Sequence, residues 1–167
     1  MTTVPFPSVP HAAGTGAAPS GQQATITVHL NKLPLLAGID EAAIQKMAGA
    51  LQVRTADKGQ VILHKGGQAE HLLFLLSGRL QAVDITEDGR EIGLSFLMVG
   101  DYFGELSVID GLPRSATVVA CEPSIYALLP REQALDLMHN NPLVAQRMFK
   151  RLAVGIRRAS NFRTILG

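Results

Sequence analysis

The sequence has one cysteine, no basic residue near its start and no long apolar run, and each absence excludes a class of protein. The single cysteine, Cys121, excludes an internal disulfide and a cysteine metal cluster. There is no run of about 18 apolar residues, so we predict no transmembrane segment. No lysine or arginine precedes Lys32, whereas a secretory signal begins with basic residues, so we expect a cytoplasmic protein.

Common enzyme motifs are also missing. The chain contains no Gly-x-Ser-x-Gly, no His-Glu-x-x-His and no Walker loop. His64 and His71 lack the His-x-His pair that a metal-binding jelly roll needs, so we interpret them as partly exposed polar residues. We therefore predict that the protein is not an enzyme and has no catalytic residue, no metal site and no cofactor.

Charge is unevenly distributed along this chain of 167 residues. The formal net charge is +1, but residues 143–167 contain six basic residues and no acid, which leaves the rest of the chain at −5. The six are Arg147, Lys150, Arg151, Arg157, Arg158 and Arg163. This segment is a candidate surface for a partner protein, an anionic lipid or nucleic acid, and the alternative is a solvated face around a dimer seam.

Composition divides the chain into a tail and one domain. Residues 1–24 are rich in Pro, Ala, Gly, Ser and Thr with almost no charge, so we predict a disordered or flexible tail. Residues 25–167 form the predicted domain. Within it, Asp40 is a candidate N-cap for a helix over residues 41–51. The apolar face of that helix consists of Ile44, Met47, Ala48 and Leu51.

The middle of the domain, about residues 52–129, reads as a series of short strands. Glycines occur between the predicted strands at positions 59, 67, 78, 89, 100 and 104. Short strands with frequent glycine turns favour a closed or sandwiched antiparallel β-structure. Pro130 then opens a helix over about residues 131–139, and a longer helix covers about residues 143–164. We predict a mainly β domain with flanking helices.

The stretch from Tyr102 to Thr117 has the composition of an anion-binding loop. Gly104 allows a close backbone approach to a ligand, and the residues from Glu105 form a short helix with unpaired first amides. Gly111 and Pro113 turn the chain so that Arg114 returns to that helix start. A guanidinium suits a phosphate, and a carboxylate suits a sugar hydroxyl. The pattern therefore indicates a nucleotide site.

The segments Phe-Gly-Glu-Leu-Ser and Pro-Arg-Ser-Ala-Thr in this stretch resemble the phosphate-binding cassette of cyclic nucleotide-binding domains. These domains are the sensor modules of the catabolite activator (cAMP receptor) proteins, of cyclic nucleotide-dependent kinases and of gated channels. The resemblance covers about residues 29–162. It implies an eight-stranded antiparallel jelly-roll barrel (a double-stranded β-helix) with an N-terminal helical segment and two C-terminal helices.

The resemblance also implies a role for each cassette residue. Arg114 is expected to bind the cyclic phosphate and Glu105 the ribose 2′-hydroxyl. The Ser115 hydroxyl could reach a phosphate oxygen, the amino group of a syn guanine, or its own backbone. The remaining cradle residues are Gly104, Leu106, Ser107 and Ala116. The apolar residues Leu63, Leu94 and Phe103 could form the sugar and base walls or be ordinary core residues.

In the family, the long C-terminal helix supplies the base contact. Aligning Asn141-Pro142 with the family's Asn-Pro places Ala159 and Ser160 near the base edge, although the cAMP receptor proteins commonly have threonine where Ala159 stands. The candidate base contacts are Arg157, Arg158, Ser160 and Asn161. An arginine or asparagine could bind guanine O6 and N7. The choice between cAMP and cGMP stays open at this point.

Two functional hypotheses follow from the sequence. The first is a cyclic nucleotide sensor module in which ligand repositions the C-terminal helix and so regulates a partner. The alternative is a nucleotide-independent interaction scaffold that uses the basic helix. The row formed by Met148, Leu152 and Ile156 is a candidate homodimer seam. Since the chain ends at Gly167, we expect no DNA-binding helix-turn-helix domain after the long helix.

Overall fold

The computed structural model describes residues 2–5 and 25–166, and the side chains of residues 29–161. Two 3-10 turns, Leu30–Lys32 and Pro34–Leu36, precede the first helix. The helices are α1 (Glu41–Ala50), α2 (Glu105–Asp110), α3 (Arg131–Asn140) and α4 (Pro142–Leu166). The strands are β1 (Thr2–Pro5), β2 (Thr25–Val28), β3 (Gln52–Ala56), β4 (Val61–Leu63), β5 (His71–Ser77), β6 (Leu80–Ile85), β7 (Glu91–Leu97), β8 (Tyr102–Phe103), β9 (Thr117–Ala120) and β10 (Ser124–Pro130).

Eight of these strands form two four-stranded antiparallel sheets. One sheet has the order β3-β10-β5-β8 and the other the order β4-β9-β6-β7. Antiparallel pairing joins strands that are distant in the sequence, such as β10 with both β3 and β5. The prediction of a mainly β domain with flanking helices is confirmed, while closure of the two sheets into a barrel stays a prediction.

Strand β5 is buried on both faces. Because successive side chains of a strand point to opposite faces, Leu72 and Phe74 pack into one apolar cluster with residues of α1, α3 and α4. Leu73 and Leu75 pack into a second cluster with apolar residues of β6, β7, β8 and β9. Burying one such side chain contributes about 1.5–3 kcal/mol. The strand therefore links the helical layer to the space that contains the candidate site.

The local sequence accounts for the limits of α1. The Asp40 carboxylate accepts a hydrogen bond from the Ala42 amide at 3.4 Å, as predicted for an N-cap. Ile44 and Met47 are buried on the face that packs into the helical core. The helix ends at Ala50 rather than at the predicted residue 51.

The ends of the chain differ from the predictions. Most of the predicted tail, residues 6–24, lies outside the described residues. However, Thr2–Pro5 form β1, which pairs antiparallel with β2. At the other end, α4 begins at Pro142, one residue before the predicted start, and continues to Leu166. None of the described helices is long and apolar enough to cross a membrane.

Candidate functional site

The predicted cassette lies where β8 passes into α2. Gly104 connects them with φ +78°, a left-handed conformation that favours glycine. A Cβ added at this residue would lie 2.5 Å from Nη1 of Arg114. Both the backbone conformation and the short distance to Arg114 therefore favour glycine here. The helix ends at Gly111, which has φ +72°.

Arg114 is held by backbone carbonyl groups. Its Nη1 donates to the carbonyl oxygen of Gly104 at 2.8 Å, and its Nη2 donates to that of His71 at 2.7 Å. The residue is only 5% exposed, and its buried Nε has no hydrogen-bond partner among the described residues. Because Nη1 and Nη2 are held by carbonyl groups and Nε is an unsatisfied donor, the guanidinium can bind a further acceptor without reorganisation.

The electrostatics of Arg114 reflect its burial and its neighbour. Burial lowers the pKa of the Arg114 guanidinium, and the Glu105 carboxylate opposes that shift by raising the pKa. The guanidinium keeps its charge at physiological pH because the ordinary pKa of arginine is so high. A carboxylate and a buried cation therefore lie close together at the start of α2.

Arg114 and Glu105 line one cavity of about 270 Å³. It lies between the cassette and strands of the β4-β9-β6-β7 sheet. The lining residues are Leu63, Ala82, Leu94, Ser95, Leu97, Phe103, Gly104, Glu105, Leu106, Ser107, Arg114, Ser115, Ala116, Val118 and Arg151. Three of the lining side chains are charged, and the walls from β6 and β7 are mainly apolar. This arrangement can hold a small ligand that has both an anionic group and an apolar or aromatic part.

The structure brings most of the predicted site residues to this cavity. The cassette residues and the apolar residues Leu63, Leu94 and Phe103 all line it. Phe103 also belongs to the second core cluster, so it is both part of the cavity wall and a core residue. Arg157 and Ser160 do not line the cavity and are exposed on α4. The ligand contacts of all these residues stay predictions.

Arg151 is the residue of α4 that reaches the cavity among the described residues. Its Nη1 donates to the carbonyl oxygen of Tyr102 at 2.8 Å, and its guanidinium carbon lies 4.1 Å from the centre of the Tyr102 ring. The sequence indicates Arg151 only as one of the six basic residues in segment 143–167. A signal was available: Val144 and Met148 are fully buried, and residue 151 follows them at helical spacing on the same face.

A second cavity, of about 430 Å³, adjoins the first and shares Ser95, Leu97 and Arg151 with it. Its other lining residues are Pro34, Leu35, Phe96, Gly100, Asp101, Tyr102 and Arg158. Arg158, predicted as a base contact, therefore lies on the second cavity and not on the first. The Arg151 side chain forms part of the boundary between the two.

Comparison with known proteins identifies related sequences and structures. The family model "Cyclic nucleotide-binding domain" matches residues 53–141. A cAMP-dependent protein kinase regulatory subunit of Debaryomyces hansenii is 36% identical over 100 residues, which is 60% of this chain and 21% of that protein. A cyclic AMP receptor protein of Thermus thermophilus is 32% identical over 126 residues, which is 75% of this chain and 58% of that protein.

The solved structures show the same similarity. The crystal structure of the Thermus thermophilus catabolite activator protein matches with a TM-score of 0.71 and 31% identity. The match covers 80% of this chain and 62% of that one. The chain thus spans only part of each of these proteins, from about a fifth to about three fifths of their length.

Proposed function

This chain belongs to the cyclic nucleotide-binding domain family, and we propose that it is a sensor module that binds cAMP or cGMP beside Arg114. The observation that carries the proposal is the buried, carbonyl-anchored guanidinium of Arg114, whose Nε has no partner among the described residues. The names of two relatives, a cAMP-dependent protein kinase regulatory subunit and a cyclic AMP receptor protein, support a cyclic nucleotide as the ligand.

In the proposed complex the cyclic phosphate lies at Arg114 and the ribose lies at Glu105. A phosphate oxygen gives the buried Nε an acceptor, which removes the cost of an unsatisfied donor. The Glu105 carboxylate accepts from the 2′-hydroxyl. Leu63 and Leu94 line the cavity from the opposite sheet and contact the sugar and base. The protein needs no cofactor and performs no chemical step in this proposal.

We propose that occupancy is transmitted through α4. Arg151 ties this helix to the carbonyl oxygen of Tyr102, two residues before Gly104, the N-cap of α2. A ligand that changes the cassette therefore changes the anchor of α4, and the helix repositions to regulate a partner. We further propose that the two sheets are the halves of a jelly-roll barrel, which would enclose the ligand.

A second copy of the chain is one candidate partner. Phe149 and Ile156 on α4 are 68% and 67% exposed. Two large apolar side chains about two turns apart on an exposed helix face favour helix-to-helix packing. This differs in detail from the predicted seam, because Met148 is buried against the protein's own core while Ile156 is exposed.

The alternative function is a nucleotide-independent scaffold that binds a partner through α4. It is favoured by the exposure of Arg157 and Arg158 beside the exposed Ile156. A mixed basic and apolar surface suits an acidic partner protein. Binding of such a partner would weaken with salt and would not respond to cAMP or cGMP.

Calorimetric titration with cAMP and cGMP tests the proposed function. We expect at least one nucleotide to bind the wild type with a dissociation constant below about 100 μM, that is, with more than about 5 kcal/mol of binding free energy. Arg114→Lys keeps the charge but loses the planar fork, and we expect it to weaken binding at least about tenfold. Arg90→Lys, on the exposed β6–β7 hairpin, is the matched control and should bind like wild type.

Two outcomes would count against the proposal, the first against the sensor itself and the second against the assigned roles of Arg114 and Glu105. One is a folded wild type, verified by thermal denaturation, that binds neither nucleotide. The other is undiminished affinity in Arg114→Lys and Glu105→Gln, which would remove both assigned roles while leaving nucleotide binding itself intact.

A further inference from the structure

We infer that the two adjoining cavities together bind a cyclic dinucleotide, whose phosphates lie at Arg114 in the first cavity and at Arg158 in the second. The inference rests on the proposed function, because it enlarges a ligand whose first phosphate lies at Arg114. It gives an occupant to the cavity of about 430 Å³, which the proposed cyclic mononucleotide does not use.

The second cavity continues from the first. Ser95, Leu97 and Arg151 line both, so these three residues form the boundary across which a ligand can extend. The first cavity has a volume of about 270 Å³ and the second of about 430 Å³. Pockets for small molecules usually have about 300–1,000 Å³. The first cavity is therefore small for such a pocket on its own, whereas the two together lie well within the range.

Arg158 supplies a second guanidinium for an anion. It follows Arg151 by seven residues, so about 10 Å of one face of α4 separates the two backbones. Both side chains line the second cavity. Residues 143–167 contain no acid, and no carboxylate pairs with Arg158 among the side chains that the structure describes. The donors of Arg158 are thus available to a phosphate that enters this cavity.

The second cavity repeats the chemistry of the first. In the first, Arg114 and Glu105 are assigned to a phosphate and a ribose hydroxyl. In the second, Arg158 and Asp101 offer the same pair of groups. Asp101 is held in its turn, because its Oδ2 accepts from the Met98 amide at 2.9 Å. A carboxylate has a second oxygen that can accept from a hydroxyl, so this acid is compatible with a nucleotide as it is in the first cavity.

Aromatic side chains give the second cavity a wall for a nucleobase. Phe96 and Tyr102 both line it. Tyr102 is buried, whereas Phe96 is 54% exposed and has the Arg79 guanidinium 5.0 Å from the centre of its ring. An accessible aromatic ring stacks on any nucleobase. This wall therefore suits a second base without selecting which base it is.

A cyclic dinucleotide matches this arrangement of groups. Each of its two phosphates is a diester with one negative charge and two free oxygens, as in a cyclic mononucleotide, so Arg114 binds an unchanged group. The second phosphate, ribose and base extend past the boundary to Arg158 and Asp101. A cyclic mononucleotide has only one phosphate and cannot engage Arg114 and Arg158 together.

The test is a calorimetric titration of the full chain with cyclic di-GMP, cyclic di-AMP, cGMP and cAMP. We expect one dinucleotide to bind one molecule per chain, at least about tenfold more tightly than the mononucleotide of the same base, because a second arginine–phosphate contact is charge-assisted. Arg158→Gln should remove most of this advantage and leave mononucleotide affinity unchanged, since Arg158 lines the second cavity and not the first.

Lys150→Gln is the matched control. It removes one positive charge from the same helix, but Lys150 is exposed and lines neither cavity. This variant should bind every nucleotide like wild type, which separates a contact in the second cavity from a general effect of charge on α4. Thermal denaturation verifies that each variant is folded.

Three results would overturn the inference and leave the sensor function standing. They are dinucleotides that bind no more tightly than mononucleotides, an equal loss for both kinds of ligand in Arg158→Gln, and two mononucleotides bound per chain. Dinucleotide binding that depends on Arg158, without any binding of cAMP or cGMP, would support the inference and refute those two ligands. Absence of binding by all four nucleotides would overturn the sensor function and the inference together.

Discussion

Arg114 reaches back ten residues along the chain to donate to the carbonyl oxygen of Gly104 at 2.8 Å. The contact is close enough that a methyl group on Gly104 would displace the guanidinium. The residue that turns the backbone into α2 and the residue proposed to bind phosphate are therefore one structural unit.

Gly104→Ala should be more damaging than other glycine substitutions in turns. Alanine in a left-handed conformation costs about 1–2 kcal/mol, and the new methyl group also meets Arg114 at 2.5 Å. Gly59→Ala is the matched control, because Gly59 has φ +85° and no atom within 4 Å of an added Cβ. Urea denaturation should show a larger loss of stability for Gly104→Ala, and titration should show nucleotide binding weakened in that variant alone. Equal losses in the two variants would falsify the steric argument.

Stability should fall as the solution becomes more acidic than about pH 6.5, in part because of His71. Burial lowers the pKa of His71, with Arg54 and Arg114 adding to the shift and Glu70 opposing it. The unfolded chain then binds a proton at a higher pH than the folded chain does, so the free energy of unfolding decreases as the pH falls through this range. His71→Gln should flatten the pH dependence of the melting temperature between pH 7.5 and 5.5.

His139→Gln is the control for that experiment, since His139 is exposed on α3. It should leave the slope of melting temperature against pH unchanged. A slope that is the same in wild type and His71→Gln would assign the acid sensitivity to other groups.

Phe74→Ala should cost about 3–5 kcal/mol of unfolding free energy, because Phe74 is fully buried in β5 and its removal leaves a cavity. Phe149→Ala removes the same atoms from a side chain that is 68% exposed, so we expect a change of about 0.5 kcal/mol or less at low protein concentration. Chemical denaturation of both variants gives the comparison. A large effect of Phe149→Ala that grows with protein concentration would instead place this side chain in an interface between copies.

Ligand binding should slow hydrogen exchange in α4. Arg151 lies in the middle of this helix and lines the cavity, so a ligand that engages it stabilises the surrounding turn. Mass spectrometry should show slower exchange for peptides covering residues 147–156 after addition of the tighter-binding nucleotide. Peptides from α1 should not change, because α1 does not line this cavity. An unaltered exchange rate in α4 in the presence of saturating ligand would rule out transmission through this helix.

The glycine turn at Gly104 and the N-cap of α1 could be predicted from the sequence because their signals are local. Glycine at a left-handed position and a capping aspartate at residue 40 act through their own backbone neighbourhood, so their patterns can be read without a fold. The two-faced burial of β5 was harder to interpret. Its continuous apolar run, residues 72–76, has no alternation that indicates which side chain enters which cluster.

The sequence alignment and the structure differ over which part of α4 lies beside the cavity, and the reason is geometric. Alignment on Asn141-Pro142 places Ser160 near the base. In the structure, however, all residues of α4 from position 153 to position 161 are exposed to solvent. Arg151 and Leu152 are the last half-buried residues before this exposed part, although the Arg158 side chain also lines the second cavity. The point at which a long helix separates from a domain depends on the angle at which the helix crosses the elements beneath it. The apolar periodicity of the helix alone does not predict that angle.

Strand β5 supplies the carbonyl group that anchors Nη2 of Arg114, and it pairs with β8 immediately before Gly104. The same strand fills both apolar clusters. A loss of tertiary packing should therefore also disrupt the proposed nucleotide site, because β5 holds Arg114 and pairs with the strand that leads to Gly104. Saturation with ligand should consequently raise the melting temperature of the entire domain, so a simple thermal-shift screen is suited to finding its natural effector.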